Sequence, residues 1–138
     1  MQVAGPGREL VYLTRNDKAA AALQLDVSIP LAERVFIMVL GGPSMQTLTD
    51  FYGDTLGLPV DPPNPFKITM ISRANKLDPG TVYPLAIVRT APGYLIELDE
   101  LPASIRPRAV TPGHLPPGVA IVGFNSDGVD AKVEWLSK

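Results

Sequence analysis

The alternation of apolar and polar residues between positions 34 and 100 predicts a strand, a helix and then three further strands. Residues 34–40 (RVFIMVL) are apolar at both alternations, which is typical of a strand covered on both faces. In residues 44–56, apolar side chains recur at three- and four-residue steps, the period of an amphipathic helix. Gly57 follows, and glycine commonly ends a helix in the left-handed conformation.

The three strands after the helix are predicted from shorter runs. They cover residues 66–72 (FKITMIS), 81–89 (TVYPLAIVR) and 94–99 (YLIELD). The Ala-Pro-Gly sequence at residues 91–93 favours a hairpin turn between the last two. Because strands and a helix share one short region, the fold class is predicted to be α+β.

The last of these strands carries acidic residues in an otherwise apolar run. Successive side chains of a strand point to opposite faces, so Leu95, Glu97 and Asp99 share one face. Glu97 lies in the middle of the strand. We therefore expect the Glu97 carboxylate to project from the centre of an apolar sheet.

The N-terminal flank predicts short elements. Residues 5–7 (GPG) indicate a tight turn, and residues 9–14 (ELVYLT) a strand rich in β-branched and aromatic side chains. Asn16 and Asp17 are typical helix caps, and the Ala-rich residues 18–25 predict a short helix after them.

The C-terminal flank begins with a proline-rich stretch. Residues 101–118 contain five prolines and predict an extended linker of polyproline character. Residues 119–125 (VAIVGFN) predict a strand. Ser126 is expected to cap a last helix over residues 128–137, whose apolar side chains fall on one side.

Length and composition narrow the class of protein. The chain has 138 residues, enough for about one domain, and 46% of them are hydrophobic. The net charge of −2 gives no basic surface for nucleic acid. The longest apolar run, residues 35–40, is too short to span a bilayer, and the first ten residues lack the apolar core of a signal peptide. We expect a cytoplasmic protein that binds neither nucleic acid nor membrane.

Cysteine and histidine counts exclude several kinds of site. The chain has no Cys, so disulfides, thiolate metal sites and cysteine nucleophiles are excluded. Its single histidine, His114, rules out any site within one chain that needs two His ligands. No Gly-x-Ser-x-Gly turn accompanies that histidine, and the glycines at 41–42 lack the spacing of a phosphate-binding loop.

Two motifs carry a family resemblance. Residues 51–60 (FYGDTLGLPV) resemble the Phe-Tyr-x-x-x-Leu-Gly-Leu signature of the glyoxalase, bleomycin-resistance and ring-cleaving dioxygenase superfamily, the vicinal oxygen chelate proteins. Residues 93–98 (GYLIEL) are similar to that family's closing strand, Gly-x-x-Ile-Glu-Ile. The resemblance implies a complete βαβββ module with a mixed curved sheet and outer helices.

The resemblance also divides the chain. Residues 1–31 are similar to the closing strand of a preceding module with a linker, and residues 32–100 to a complete module. Residues 101–117 then form a linker, and residues 118–138 resemble the opening strand and helix of a following module. Family members pair two modules, so the resemblance implies a homodimer or pairing with a second module.

The implied chemistry is metal-dependent. Family enzymes are lyases, isomerases or ring-cleaving dioxygenases that hold a divalent metal (Fe, Mn, Ni or Zn) with His, Gln or Glu side chains. Glu97 matches the closing-strand ligand. The other three ligand positions fall at or near Tyr12, Arg34 and Gly118, none of which is a usual ligand. A metal-free protein that binds or sequesters a small molecule, or a structural lobe of a larger enzyme, is the alternative.

Glu97 therefore has three interpretations: an ion pair with Arg34 across the sheet, recognition of a ligand, or metal ligation with a catalytic role. Tyr83 and Arg89 are candidates to line a binding cavity together with Glu97 and Arg34. His114 is a further binding candidate, because its linker can wrap towards a neighbouring sheet.

Overall fold

The computed structural model of the chain describes residues 2–6, 10–13, 35–91 and 94–137. They fall into two units, one within Arg15–Arg106 and the other within Met1–Thr14 and Pro107–Lys138. In chain order the elements are β1 (Gln2–Ala4), β2 (Leu10–Tyr12), β3 (Ile37–Gly42), α1 (Met45–Thr49), β4 (Asn64–Lys67), α2 (Thr69–Ala74), β5 (Val82–Ala91), β6 (Tyr94–Glu100) and α3 (Val129–Leu136). None of the described helices is long and apolar enough to cross a membrane.

The larger unit contains a mixed four-stranded sheet in the order β3-β6-β5-β4. β3 and β6 are parallel, whereas β6 and β5, and β5 and β4, are antiparallel. The predicted hairpin of the last two strands is confirmed as the β5–β6 pair. The α+β class is confirmed as well: β3, α1, β4, β5 and β6 follow in the predicted order, with the helix α2 inserted between β4 and β5.

The helix after β3 begins where the sequence predicts. The Ser44 hydroxyl accepts the Thr47 N–H at 3.3 Å, and the Glu100 carboxylate accepts the Met45 N–H at 2.7 Å. After α1 the chain continues as a π-helical segment, Asp50–Thr55, in which the Leu56 N–H reaches back five residues to the carbonyl of Phe51. Gly57 then has φ +65°, the predicted left-handed end of the helix.

The main core lies between α1 and one side of the sheet, which we call the helix face. Its buried residues are Met45, Ala86, Val88, Ile96 and Leu98. Leu48 and Tyr52, predicted as part of the helix's apolar stripe, pack against them. Burying one such aliphatic side chain contributes about 1.5–3 kcal/mol, so this face supplies most of the unit's stability.

We call the other side of the sheet the acidic face, because Leu95, Glu97 and Asp99 point to it. Leu95 is buried there against Phe36, Ile37 and Ile87. This cluster is smaller than the main core, and Val39 of β3 is 40% exposed. The prediction that both faces of this strand are covered is therefore wrong, because β3 lies at the edge of the sheet.

One predicted strand is shorter than expected. Residues 66–72 were expected to be extended, but β4 ends at Lys67 and α2 begins at Thr69. The helical turn buries Ile71 and Ser72 together, which a strand would place on opposite faces. Tertiary packing thus overrides the alternating pattern of this run.

The smaller unit keeps part of its predicted structure. β2 lies within the predicted strand at residues 9–14 and pairs antiparallel with β1, which the sequence did not predict. Pro6 lies in a turn, as expected for residues 5–7. The helix predicted over residues 18–25 lies outside the described residues.

The C-terminal predictions are only partly confirmed. The predicted strand at residues 119–125 is wrong: the segment has no regular structure, since no described strand pairs with it. The last helix is present as α3, but Gly128 caps it with φ +64°, not Ser126. The Ser126 hydroxyl instead accepts a hydrogen bond from Lys132 Nζ. α3 exposes its apolar side chains, including Trp135 at 49%.

Candidate functional site

Glu97 lies at the centre of the acidic face, as the sequence predicts. Its neighbours across the sheet are Ile87 of β5 and Val39 of β3. The carboxylate is half-buried, and this burial raises the pKa of Glu97 above its usual value. Glu97 is therefore a carboxylate held among apolar side chains, partly open to solvent.

Asp99 is the second carboxyl of this face and was not singled out from the sequence. It lies two residues beyond Glu97, between Leu85 and Gly41, and only 4% of it is exposed. Its buried Oδ1 has no hydrogen-bond partner among the described residues. Burial, and to a lesser extent the negative charge of Glu97, raise the pKa of Asp99 to about 7. The signal in the sequence was the two-residue spacing from Glu97.

Leu101 helps to cover the corner of the sheet beside Asp99. A Cβ atom added at Gly41 would lie 2.6 Å from Leu101 Cδ1, so the leucine side chain occupies the space of the missing side chain. Gly41 is the neighbour of Asp99 on β3. A side chain at position 41 would therefore force Leu101 to shift.

Arg89, a predicted binding residue, shares the acidic face but has a partner of its own. It lies opposite Leu95 and is therefore a diagonal neighbour of Glu97. Its Nε and Nη2 donate to the two oxygens of Asp61 at 3.3 and 2.8 Å. Asp61 reaches this side because its N–H bonds to the carbonyl of Ile87 in the extension of β4. The guanidinium is thus paired with Asp61 and not with Glu97.

Tyr83 lies farther along the same face and is 3% exposed. Its hydroxyl shares a 2.9 Å hydrogen bond with Ser72 of α2, which is also buried. Tyr83, together with Glu100 and Leu101, contributes to the wall of an open cavity of about 240 Å³. Tyr83 therefore lines a cavity where β5 begins and β6 ends, and its hydroxyl is bonded to Ser72 of α2.

The remaining predicted site residues are His114 and Arg34. His114 belongs to the smaller unit, is exposed, and bonds through its N–H to the carbonyl of Thr111. Arg34 lies outside the described residues, so its predicted ion pair with Glu97 stays a prediction.

A divalent metal of the family type is a poor fit to the residues present. Glu97 and Asp99 are two oxygen donors on one strand, and the described residues contain no group of three or more His, Asp or Glu that could hold a metal ion. Metal centres of this type need three or four protein ligands. The described residues alone do not build such a centre.

The family resemblance of the sequence remains a resemblance. Comparison of the chain with protein-family models, with curated proteins and with solved structures found no match. The observations that bear on function are therefore the carboxyls of Glu97 and Asp99 on the acidic face, the burial of Asp99, and the ion pair of Arg89 with Asp61.

Proposed function

We propose that this chain binds a small organic molecule on the acidic face, without a metal, as a module of the glyoxalase and bleomycin-resistance type. The observation that carries the proposal is Asp99, a buried carboxyl whose Oδ1 has no partner among the described residues. Such a group costs free energy in the folded protein, which a ligand can recover by bonding to it.

The surroundings of the two carboxyls support binding. The acidic face presents partly exposed apolar side chains next to polar groups, and binding sites for small molecules commonly combine these features. Val39 is 40% exposed beside Glu97, and Leu85 and Ile87 are only partly buried. The helix face has no such opening, because α1 covers it.

The test is a titration followed by amide NMR spectra. A panel of small aromatic compounds is added to the wild-type protein, and we expect signals of β5 and β6 to move with saturation. Glu97→Gln and Asp99→Asn should weaken binding, and Asp54→Asn, which removes an exposed carboxylate from the π-helical segment, should not. Shifts confined to other residues would contradict the proposal.

A metal-dependent lyase, isomerase or ring-cleaving dioxygenase is the alternative. It is favoured only by the position of Glu97 in the closing strand, and it needs ligands that the described residues do not supply. Metal analysis of the purified protein separates the two. Stoichiometric Fe, Mn, Ni or Zn would support the enzyme, whereas a metal-free protein that still binds ligand supports the first proposal.

Pairing with a second copy or a second module is part of the proposal. β3 has a neighbour on one side only among the described strands, and an open strand edge favours addition of another strand. The opposite edge differs: Pro62, Pro63 and Pro65 lie along it and cannot donate backbone hydrogen bonds. Sedimentation should therefore show a dimer, and a stable monomer would contradict the pairing. The remaining alternative, a structural lobe of a larger enzyme, would bind no compound of the panel.

A further inference from the structure

We infer that the ligand of the acidic face is an organic cation, an amine carried on a flat apolar body that bonds to Glu97 and Asp99. This inference rests on the proposed function and names the class of ligand for the same site.

The first argument is charge. Register and hydrogen bonds place three carboxyls on the acidic face, those of Asp61, Glu97 and Asp99, and one guanidinium, that of Arg89. Both oxygens of Asp61 already accept from Arg89. Glu97 and Asp99 are left with no cation among the described residues. A ligand that brings positive charge supplies the missing partner, whereas an anion would be repelled.

The second argument is the shape of the neighbouring surface. Around the two carboxyls the sheet presents Leu85, Ile87 and Val39, side chains without polar atoms. Val39 is 40% exposed and accessible to a ligand. A flat aromatic body can cover these side chains while its amine reaches a carboxylate.

The other titratable groups that face the site from the described strands and from α2 do not compete for it. The residues of β3 carry no charged side chain. On β5 the titratable groups of this face are Tyr83, bonded to Ser72 of α2, and Arg89, bonded to Asp61. From α2, Arg73 is exposed. Because burial raises the pKa of Asp99 to about 7, an incoming amine has to displace its proton near neutral pH, and the affinity should increase between pH 6 and pH 8.

The experiment uses the full chain and three probes of the same shape: benzylamine, benzyl alcohol and benzoate. We expect benzylamine to shift the amide signals of β5 and β6 saturably, and to bind at least several-fold tighter at pH 8 than at pH 6. Asp99→Asn and Glu97→Gln should each weaken it about ten-fold or more, since a hydrogen bond between charged groups is lost. Asp54→Asn is the matched control and should bind as the wild type does. The dispersion of the amide spectrum shows that each variant is folded.

Every other outcome overturns the inference, and the probes separate it from the proposed function. Binding of benzyl alcohol or benzoate to this face without benzylamine leaves the proposed function standing and removes the cation. Benzylamine binding that neither variant weakens shows an unspecific site. If calcium chloride alone produces the same shifts, the site takes an inorganic cation. If none of the probes binds, the proposed function fails together with the inference.

Discussion

The two faces of the four-stranded sheet are built from alternate residues of the same strands, but they differ in packing and in charge. On the helix face, Val88 and Leu98 are completely buried under α1. On the acidic face, Glu97 and Asp99 lie on either side of Leu98 along β6, and Val39 stays 40% exposed. One face therefore supplies the stability that lets the other hold a buried carboxyl whose Oδ1 has no partner within the described part of the chain. This division is testable by changes that act on one face at a time.

The largest expected effect comes from the helix face. Leu98→Ala removes a fully buried side chain and should lower the free energy of unfolding by about 2–5 kcal/mol. Leu85→Ala makes the same change on the acidic face, where the side chain is only partly buried, and should cost roughly half as much or less.

The free energy of unfolding of both variants is measured in urea, with hydrogen exchange of the β5 and β6 amides as the probe. Tryptophan fluorescence is unsuitable, because the single tryptophan, Trp135, lies in the smaller unit. Equal losses of unfolding free energy in Leu98→Ala and Leu85→Ala would show that both faces are packed alike, which would contradict the difference between them.

The next effect is a dependence of stability on pH that arises on the acidic face. The pKa of Asp99 is raised from 3.8 in the unfolded chain to about 7 in the folded protein, so the folded state binds more protons between these values. The contribution of Asp99 to stability is therefore greatest below about pH 4, and it is lost as the pH rises from there through about 7. From pH 5 to pH 8 the loss should be on the order of 2 kcal/mol, at about 1.4 kcal/mol per pKa unit. Glu97 contributes with the same sign.

Asp99→Asn isolates this effect. The amide cannot ionise, so most of the decline between pH 5 and pH 8 should vanish, and the variant should be more stable than the wild type at pH 8. Asp54→Asn should keep the wild-type decline. A wild-type protein whose stability rises with pH over this range would show that Asp99 has a partner or is open to water.

A smaller effect concerns the corner where α2 meets the acidic face. Ser72→Ala and Tyr83→Phe each remove one hydroxyl of a 2.9 Å hydrogen bond and leave the other hydroxyl buried without this partner. Each variant should lower the free energy of unfolding by about 1–2 kcal/mol. The double variant should cost clearly less than the sum, because neither hydroxyl is then left buried alone. Additive losses in urea unfolding would show that the two residues act independently.

Much of the division between the faces could be read from the sequence. The alternation of β6 predicted which residues share a face with Glu97, and the β5–β6 hairpin followed from the turn at residues 91–93. The helix followed from the apolar period of residues 44–56, and its end from Gly57, because both are local properties of the sequence.

What the sequence could not predict depends on contacts between distant segments. Residues 69–74 have the composition of a strand, but burial of Ser72 against Tyr83 favours a helical turn. Residues 119–125 alternate well, yet a strand needs a partner, and no described one is present. The importance of Asp99 was hidden because its burial arises from packing between strands, which the sequence of β6 alone does not show.

The smallest effect on stability concerns the ion pair of Arg89 and Asp61, and it tests why the Arg89 guanidinium does not pair with Glu97. Both side chains are more than one third exposed, so the pair should contribute about 1 kcal/mol or less in a double-mutant cycle of Arg89→Met and Asp61→Asn.

The effect of this ion pair on the acidic face should be clearer than its effect on stability. Asp61→Asn releases the guanidinium next to Glu97, which should lower the pKa of Glu97 and reduce the affinity for benzylamine, because the site then has a cation of its own. Carboxyl NMR titration measures this pKa, and an unchanged value would show that the guanidinium cannot reach Glu97 even when Asp61 no longer holds it.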